Sequence, residues 1–256
     1  MKHSFIDEYS DLDSLIHRLD PRVKLVTLVA SLLFIISTRP TSFVTFVLYG
    51  ILIFILIGLS KIPIGFIFKR SLVIIPFVLI IAIFIPFFKK GQVAGSYSFG
   101  SVHLTVTYEG LMVFWNVLVK AYLSILCMIL LATSTKFSNL LKAFENMKCP
   151  KLMTMILSFM HRYIYVLVDE MMRMKRAKDS RTVGGKRWFH VKALSHMVGV
   201  LFIRAYERGE RVYLAMCSRG FSGQIRTLQD FKLNKTDFCF LLTMAMLLIA
   251  IRTIRR

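Results

Sequence analysis

Acidic residues are scarce in this chain: 14 Asp and Glu stand against 34 Lys and Arg in 256 residues, a formal net charge of +20. So basic a balance raises nucleic acid as a partner, but no zinc-ligand spacing or RNA-binding signature accompanies it, and the basic stretches are interleaved with long apolar stripes. Cysteine is sparse and unpaired. Cys127, Cys149, Cys217 and Cys239 contain no Cys-x-x-Cys, which argues against a disulfide framework or a structural zinc site. The histidines, at His3, His17, His103, His161, His190 and His196, form no His-x3-His or comparable cluster with a carboxylate in an apolar run, so no metal site is expected. A phosphate-binding loop is also missing. Gly184-Gly185-Lys186 lacks the preceding glycine spacing and the following hydroxyl, so any ATP would be hydrolysed by another polypeptide. The first twenty residues are polar and acidic, and no cleaved signal peptide is expected.

Apolar residues dominate what is present. They make up 56% of the chain, with 22 Phe and a mean hydropathy of +0.63, against roughly 45–50% in soluble domains, so the expected solvent is a bilayer. Crossing hydrocarbon takes about 20 residues per helix. Apolar runs at residues 23–38, 42–59, 71–88, 110–133 and 237–251 meet that need, the last being short without its flanks. Arg18, Arg22 and Lys24 before the first run, with Lys61, Lys69 and Arg70 after the second, place the N-terminus in the cytoplasm by the excess of cations on that side. Residues 89–108, rich in Gly and Ser with alternating Val102, Leu104 and Val106, then form an external loop or small hairpin, a placement Lys89 and Lys90 mildly oppose. Five spans leave Arg252, Arg255 and Arg256 outside, against the same charge rule. The span count is open by one.

The expected architecture is an all-α integral membrane protein of about five transmembrane helices plus two long cytoplasmic amphipathic helices. It divides into residues 1–133, the N-terminal segment with four spans; 134–235, the cytoplasmic helices; and 236–256, the last span. Residues 134–235 hold twenty Lys and Arg against seven Asp and Glu. Before residues 183–187, whose paired glycines break the pattern, Leu152, Met155, Ile156, Phe159, Tyr163, Val166, Leu167, Met171 and Met174 fall on one helical stripe. After it, Val198, Leu201, Phe202, Ala205, Val212, Tyr213 and Met216 do the same, with Arg204, Glu207, Arg208 and Arg211 on other faces. Glu207 and Arg211 are four apart, worth about 0.2–0.5 kcal/mol of helix support. Gly220 reads as a helix stop that leaves Arg219 near an exposed end. Both helices end in Ser-Arg, at Ser180-Arg181 and Ser218-Arg219. Lys120 is the clear charge inside a span, an insertion cost of roughly 2.5–3.5 kcal/mol. It could pair with a partner subunit or with the cytoplasmic helices, or snorkel from a tilted helix. Pro76 and Pro86 are expected to bend the third span.

Three strings carry a resemblance: Ser14-Leu-Ile-His-Arg-Leu-Asp-Pro-Arg-Val-Lys24, the stretch from Leu131-Ala-Thr-Ser-Thr135 to Pro150, and Arg204-Ala-Tyr-Glu-Arg-Gly-Glu-Arg-Val-Tyr-Leu-Ala-Met-Cys-Ser-Arg-Gly-Phe221. From Tyr9 to Gln224 the chain resembles the transmembrane T component of energy-coupling-factor (ECF) transporters, nearest to its CbiQ branch, the T subunit of cobalt and nickel importers. The resemblance implies two coupling helices whose Ala-Arg-Gly-like tips dock into grooves of a dimer of ABC-type ATPase subunits. Matched by position, the tip arginines are Arg181, flanked by Ser180, and Arg219, between Ser218 and Gly220. Ser180 and Thr182 both depart from the motif, so Lys178 or Arg176 could share the role of Arg181. It further implies a separate CbiM-like membrane S component that holds the metal, room for a small accessory membrane subunit, ATP and Mg on the ATPase, no cofactor on this chain, and a multi-pass place in the inner (cytoplasmic) membrane. A link to cobalamin biosynthesis follows from the cobalt branch. Cobalt against nickel, or a vitamin, is not decided by these residues. A self-contained carrier would show polar residues on several span faces or a repeat of spans. A membrane enzyme would need a convergent set of His, Asp or Glu. Neither pattern is found.

Overall fold

The computed structural model of the chain describes residues 12–40, 42–88, 93–99, 102–147, 149–181, 187–223 and 234–253. The described elements are α1 (Pro21–Ile36), α2 (Phe43–Leu59), α3 (Ile64–Ala82), α4 (Ile85–Phe88), β1 (Val93–Phe99), β2 (Val102–Thr107), α5 (Tyr108–Ser134), α6 (Phe137–Asn146), α7 (Lys151–Arg181), α8 (Arg187–Ser218) and α9 (Lys235–Thr253). They fall into two compact units: α7 with α8, and α1–α5 with the hairpin and α9, the division falling after Ala143 within α6. Four stretches are long and apolar enough to cross a membrane, Ile64–Phe87, Tyr108–Ser134, Lys151–Arg181 and Lys235–Thr253, and Phe43–Leu59 is a shorter apolar helix.

The larger unit follows membrane logic, apolar on nearly every face with one stripe buried. On α2, Phe46, Tyr49, Ile53 and Ile57 are buried at helical spacing, while Val44, Val47, Ile51, Phe54 and Ile55 on the other faces are exposed. α5 is the hub, packing on α1, α2, α3 and α4, and its Leu123, Leu126, Cys127 and Ile129 complete the core with Ile35, Ile67, Leu248 and Ile251.

Two lysines fix the pairing of α1 and α5. Lys24, in the second turn of α1 and 6% exposed, donates from Nζ to the Ser134 carbonyl at the end of α5 (2.9 Å) and to that of His17 (3.2 Å). Lys120, midway along α5, donates to the carbonyls of Ile36 and Thr38 at the end of α1, both at 2.7 Å. Each cation sits where its partner helix has orphan carbonyls and a negative dipole end, so the helices run antiparallel. Lys120 thus caps α1 within its own unit. α9 runs parallel to α1. Its Asp237, 3% exposed, accepts from the Asp20 backbone N–H (3.0 Å) and the Asn234 N–H (2.9 Å), and at the far end Arg252 lies over the Phe34 ring, 5.6 Å from its centroid.

Local sequence explains the remaining breaks. Asp20 caps α1 by accepting from the Arg22 N–H (2.8 Å), and Pro21 follows at the helix start. α3 begins at Ile64, seven residues before the apolar run read from sequence, because Lys69 and Arg70 lie within the helix; Arg70 reaches over Phe66. It continues through Pro76 and stops at Ala82, the residue whose carbonyl would have used the N–H that Pro86 lacks. Residues 89–108 contain an antiparallel hairpin, as expected, with Phe99 opposite Val102 and an irregularity between Val93 and Gly95. α6 was not anticipated as a separate helix.

At the start of α5, a Cβ on Gly110 would lie 2.7 Å from Pro86 Cα and 2.8 Å from Thr107 Oγ1. Lys120→Met is expected to lower stability by about 1–2 kcal/mol, and Lys24→Met, which leaves a buried carbonyl and two buried carboxylates without their cation, by about 3 kcal/mol. Thermal unfolding in detergent measures both. A Lys24→Met protein as stable as the wild type would show that the caps do not hold the bundle.

Candidate functional site

The residues singled out for coupling sit on α7 and α8. α7 runs to Arg181, its last residue, and Arg181 is exposed. The Ser180 hydroxyl turns back to the Ala177 carbonyl (3.0 Å), occupied with its own helix rather than offered outward. Lys178 is largely covered and pairs with Asp179 at 3.3 Å, so of the two residues that could share the role of Arg181 it is the less available, while Arg176 is exposed. Thr182 and the paired glycines lie outside the described residues.

The tip of α8 is closed by backbone geometry. Gly220 has φ of +79°, its N–H donates to the Cys217 carbonyl (3.0 Å), and the Phe221 N–H returns to the Met216 carbonyl (3.1 Å). That is a Schellman-type C-cap with glycine in the left-handed position, the helix stop expected from sequence. It leaves Arg219 exposed one residue past the helix, while the Ser218 hydroxyl bonds to the Leu214 carbonyl (2.9 Å). Among the described residues no carboxylate lies within ion-pair distance of Arg181 or Arg219.

The supporting charges divide into two kinds. Glu207 and Arg211 form the expected pair along α8 at 3.7 Å, both mostly exposed. Arg204 instead crosses to α7, where its Nη1 donates to Glu170 Oε1. Local sequence does not single out Glu170, since a partner 34 positions away leaves no local signal. Arg208 is exposed. The apolar stripes are narrower than their spacing implied. On α8, Leu201, Ala205, Val212 and Met216 are half-buried, whereas Val198, Phe202 and Tyr213 are exposed by 54%, 73% and 60%. On α7, Met155, Phe159, Tyr163, Val166, Leu167 and Met174 are half-buried, and Leu152, Ile156 and Met171 are exposed. The methionines split likewise: Met174, Met197 and Met216 are packed, Met171 and Met172 are not. So much exposed apolar surface on two helices is unusual for a face that meets only water.

No group of three or more His, Cys, Asp or Glu is placed to hold a metal among the described residues. Residues 13–229 match the cobalt transport protein family, CbiQ. The chain belongs to that family. An uncharacterized protein of Methanocaldococcus jannaschii is 28% identical over 93% of this chain and 82% of its own length. Energy-coupling factor transporter transmembrane proteins are similarly related. The one from Ruminiclostridium cellulolyticum is 29% identical, covering 93% of this chain and 91% of its own, and that of Bacillus subtilis is 27% identical, covering 87% and 86%. The match to CbiQ ends past Arg219, so both tips lie inside it.

Two outcomes follow from this geometry. A double-mutant cycle of Glu170→Gln with Arg204→Gln should give a coupling of about 0.2–1 kcal/mol, the range for an ion pair this exposed; zero coupling would mean that the pair does not bind α7 to α8. Gly220→Ala, forced into a left-handed backbone, should cost about 1–2 kcal/mol and show as faster amide exchange in residues 216–221.

Proposed function

We propose that this chain is the transmembrane coupling subunit of an ATP-driven ECF-type importer of cobalt ions. In this reading Arg181 and Arg219 engage a pair of ABC-type ATPase subunits, and α7 and α8 relay the closure of that pair to a substrate-binding membrane subunit. The observation that carries it is the pair of long helices, each ending at an exposed arginine with no carboxylate partner among the described residues, joined by Glu170–Arg204. A guanidinium offers a planar fork to a carboxylate in a socket, which an ammonium cannot reproduce. Membership of the cobalt transport family supports the substrate, and the ECF transmembrane relatives support the assembly. Cofactor chemistry is assigned to the ATPase subunits, which supply ATP hydrolysis.

The membrane reading is part of the same proposal. α1, α2, α3, α5 and α9 cross the cytoplasmic membrane, giving five passes. Because α9 runs parallel to α1 and α5 antiparallel to it, α1 begins and α9 ends on opposite faces, with the start of α1 on the cytoplasmic side. Of the three cations that argued against this count, Arg252 is stacked over Phe34 at the outer end of α9, while Arg255 and Arg256 lie outside the described residues. Although α7 passes a length and hydropathy test for crossing, its best window reaches only 1.2 against 2.5 for Ile64–Phe87. Its second half carries Asp169, Glu170, Arg173, Lys175, Arg176, Lys178, Asp179 and Arg181, each costly in hydrocarbon. It is read as a cytoplasmic coupling helix.

Arg219→Ala should leave the protein inserted in membranes yet reduce co-purification of the ATPase by about 2–5 kcal/mol of binding and abolish cobalt uptake. Arg219→Lys should also be impaired. Uptake at wild-type levels in Arg219→Ala would overturn the mechanism, and normal ATPase coupling in Arg219→Lys would overturn bidentate recognition.

A further inference from the structure

α7 carries an apolar face that its packing on α8 leaves uncovered. Met153, Ile156, Met160, Ile164, Val168 and Met171 recur at three- and four-residue intervals and are exposed by 37% to 62%. They adjoin the packed stripe of Met155, Phe159 and Val166 but lie on a different side of the helix from Ser158 and Arg162. From Met153 to Met171, about 27 Å of helix at about 1.5 Å per residue, this face holds no charged side chain. Lys175 and Lys178 are the first to enter it.

The chemistry of the face distinguishes lipid from protein as its occupant. It is aliphatic and methionine throughout, with no aromatic side chain, and so offers a smooth surface to fluid acyl chains. The exposed apolar side of α8 is of another kind. There Trp188, Phe202, Tyr206 and Tyr213 alternate with Gly199 and Gly209, at which a Cβ would meet nothing within 4 Å. Large aromatics beside open glycines make the stepped surface on which protein partners anchor. α7 also contains a window apolar enough to cross a membrane, of which only 6% is buried, while Lys151, Ser158 and Arg162 are exposed on its polar side. One apolar side and one cationic side define a helix that lies in the plane of a membrane surface rather than across it. Lys151 and Arg162 precede the first acid of α7, Asp169, and their charge complements the anionic cytoplasmic leaflet. The chain reaches α7 from the end of a span, Ser134, through α6.

We propose that α7 from Leu152 to Met171 lies in the plane of the inner leaflet, its aliphatic face sunk among acyl chains and Lys151 and Arg162 among headgroup phosphates. The charged remainder, through Arg181, stays in water. This rests on the cytoplasmic placement of α7 given above and adds the bilayer itself to the partners of that helix.

The test uses the full chain with Cys149, Cys217 and Cys239 replaced by alanine, Cys127 being buried. It is reconstituted in vesicles of dioleoyl phosphatidylethanolamine and phosphatidylglycerol, alone and with the ATPase and substrate-binding subunits. Nitroxide labels are placed singly through Met153→Cys, Met160→Cys, Ile164→Cys, Ser158→Cys and Arg162→Cys. Their collisions are measured with oxygen, which dissolves in hydrocarbon, and with a nickel chelate, which stays in water. Labels at 153, 160 and 164 should be oxygen-rich and nickel-poor, at a common depth of about 5–10 Å, and those at 158 and 162 the reverse, in both preparations. Nickel access at 160 and 164 equal to that at 162 overturns the proposal, because the face is then in water. Exclusion of both relaxants from 160 and 164, in the chain alone or only in the complex, overturns it in favour of a protein contact. A depth that climbs to mid-bilayer along the helix, with 158 and 162 immersed as well, overturns it together with the cytoplasmic placement of α7. Loss of ATPase binding with the depth profile unchanged would count against the coupling role alone.

Discussion

Where α1 and α5 pack antiparallel, each helix sends a lysine to the carbonyl end of the other, and the remainder of the membrane unit is arranged around that exchange. A helix end in hydrocarbon leaves its last carbonyls without partners, a cost of several kcal/mol per group where no water can reach. A lysine inside a span carries a comparable penalty. Lys24 on Ser134 and Lys120 on Ile36 and Thr38 offset both costs at once. Because the two contacts lie near opposite ends of the pair, they also fix its register, which a smooth apolar interface of Leu and Ile would leave free to slide.

The same exchange also fixes the end of α5 through Ser134. It is the last residue of α5, and after it Thr135 is extended and the chain departs toward α6. Lys24 therefore pins the point from which the α7–α8 segment leaves the bundle, with Asp20 and Asp237 buried nearby to balance its charge.

The α7–α8 unit obeys a different rule. Thr154 is the buried residue of α7, and none of the described residues of α8 is buried. Two helices of 31 and 32 residues, held among the described residues by a thin packed stripe and the Glu170–Arg204 ion pair, would be marginal as an isolated structure. Their apolar side chains and arginine tips are left exposed.

The spans were legible because each is a long apolar run, and their observed bounds differ by two residues or fewer except in α3, where Lys69 and Arg70 masked the first two turns. Both helix tips were legible too. The Gly220 stop depends on a local backbone preference, and Glu207–Arg211 on spacing within one helix; such features need no tertiary contact. What sequence could not supply was any pairing between distant elements: the cap made by Lys120, the burial of Asp237 against the start of α1, the Glu170–Arg204 link, and which half of each amphipathic stripe is covered. Hydropathy and helical period act within a few residues and so were written in the chain itself. Which cation meets which carbonyl depends on how whole helices lie against one another, and only the folded arrangement decided that.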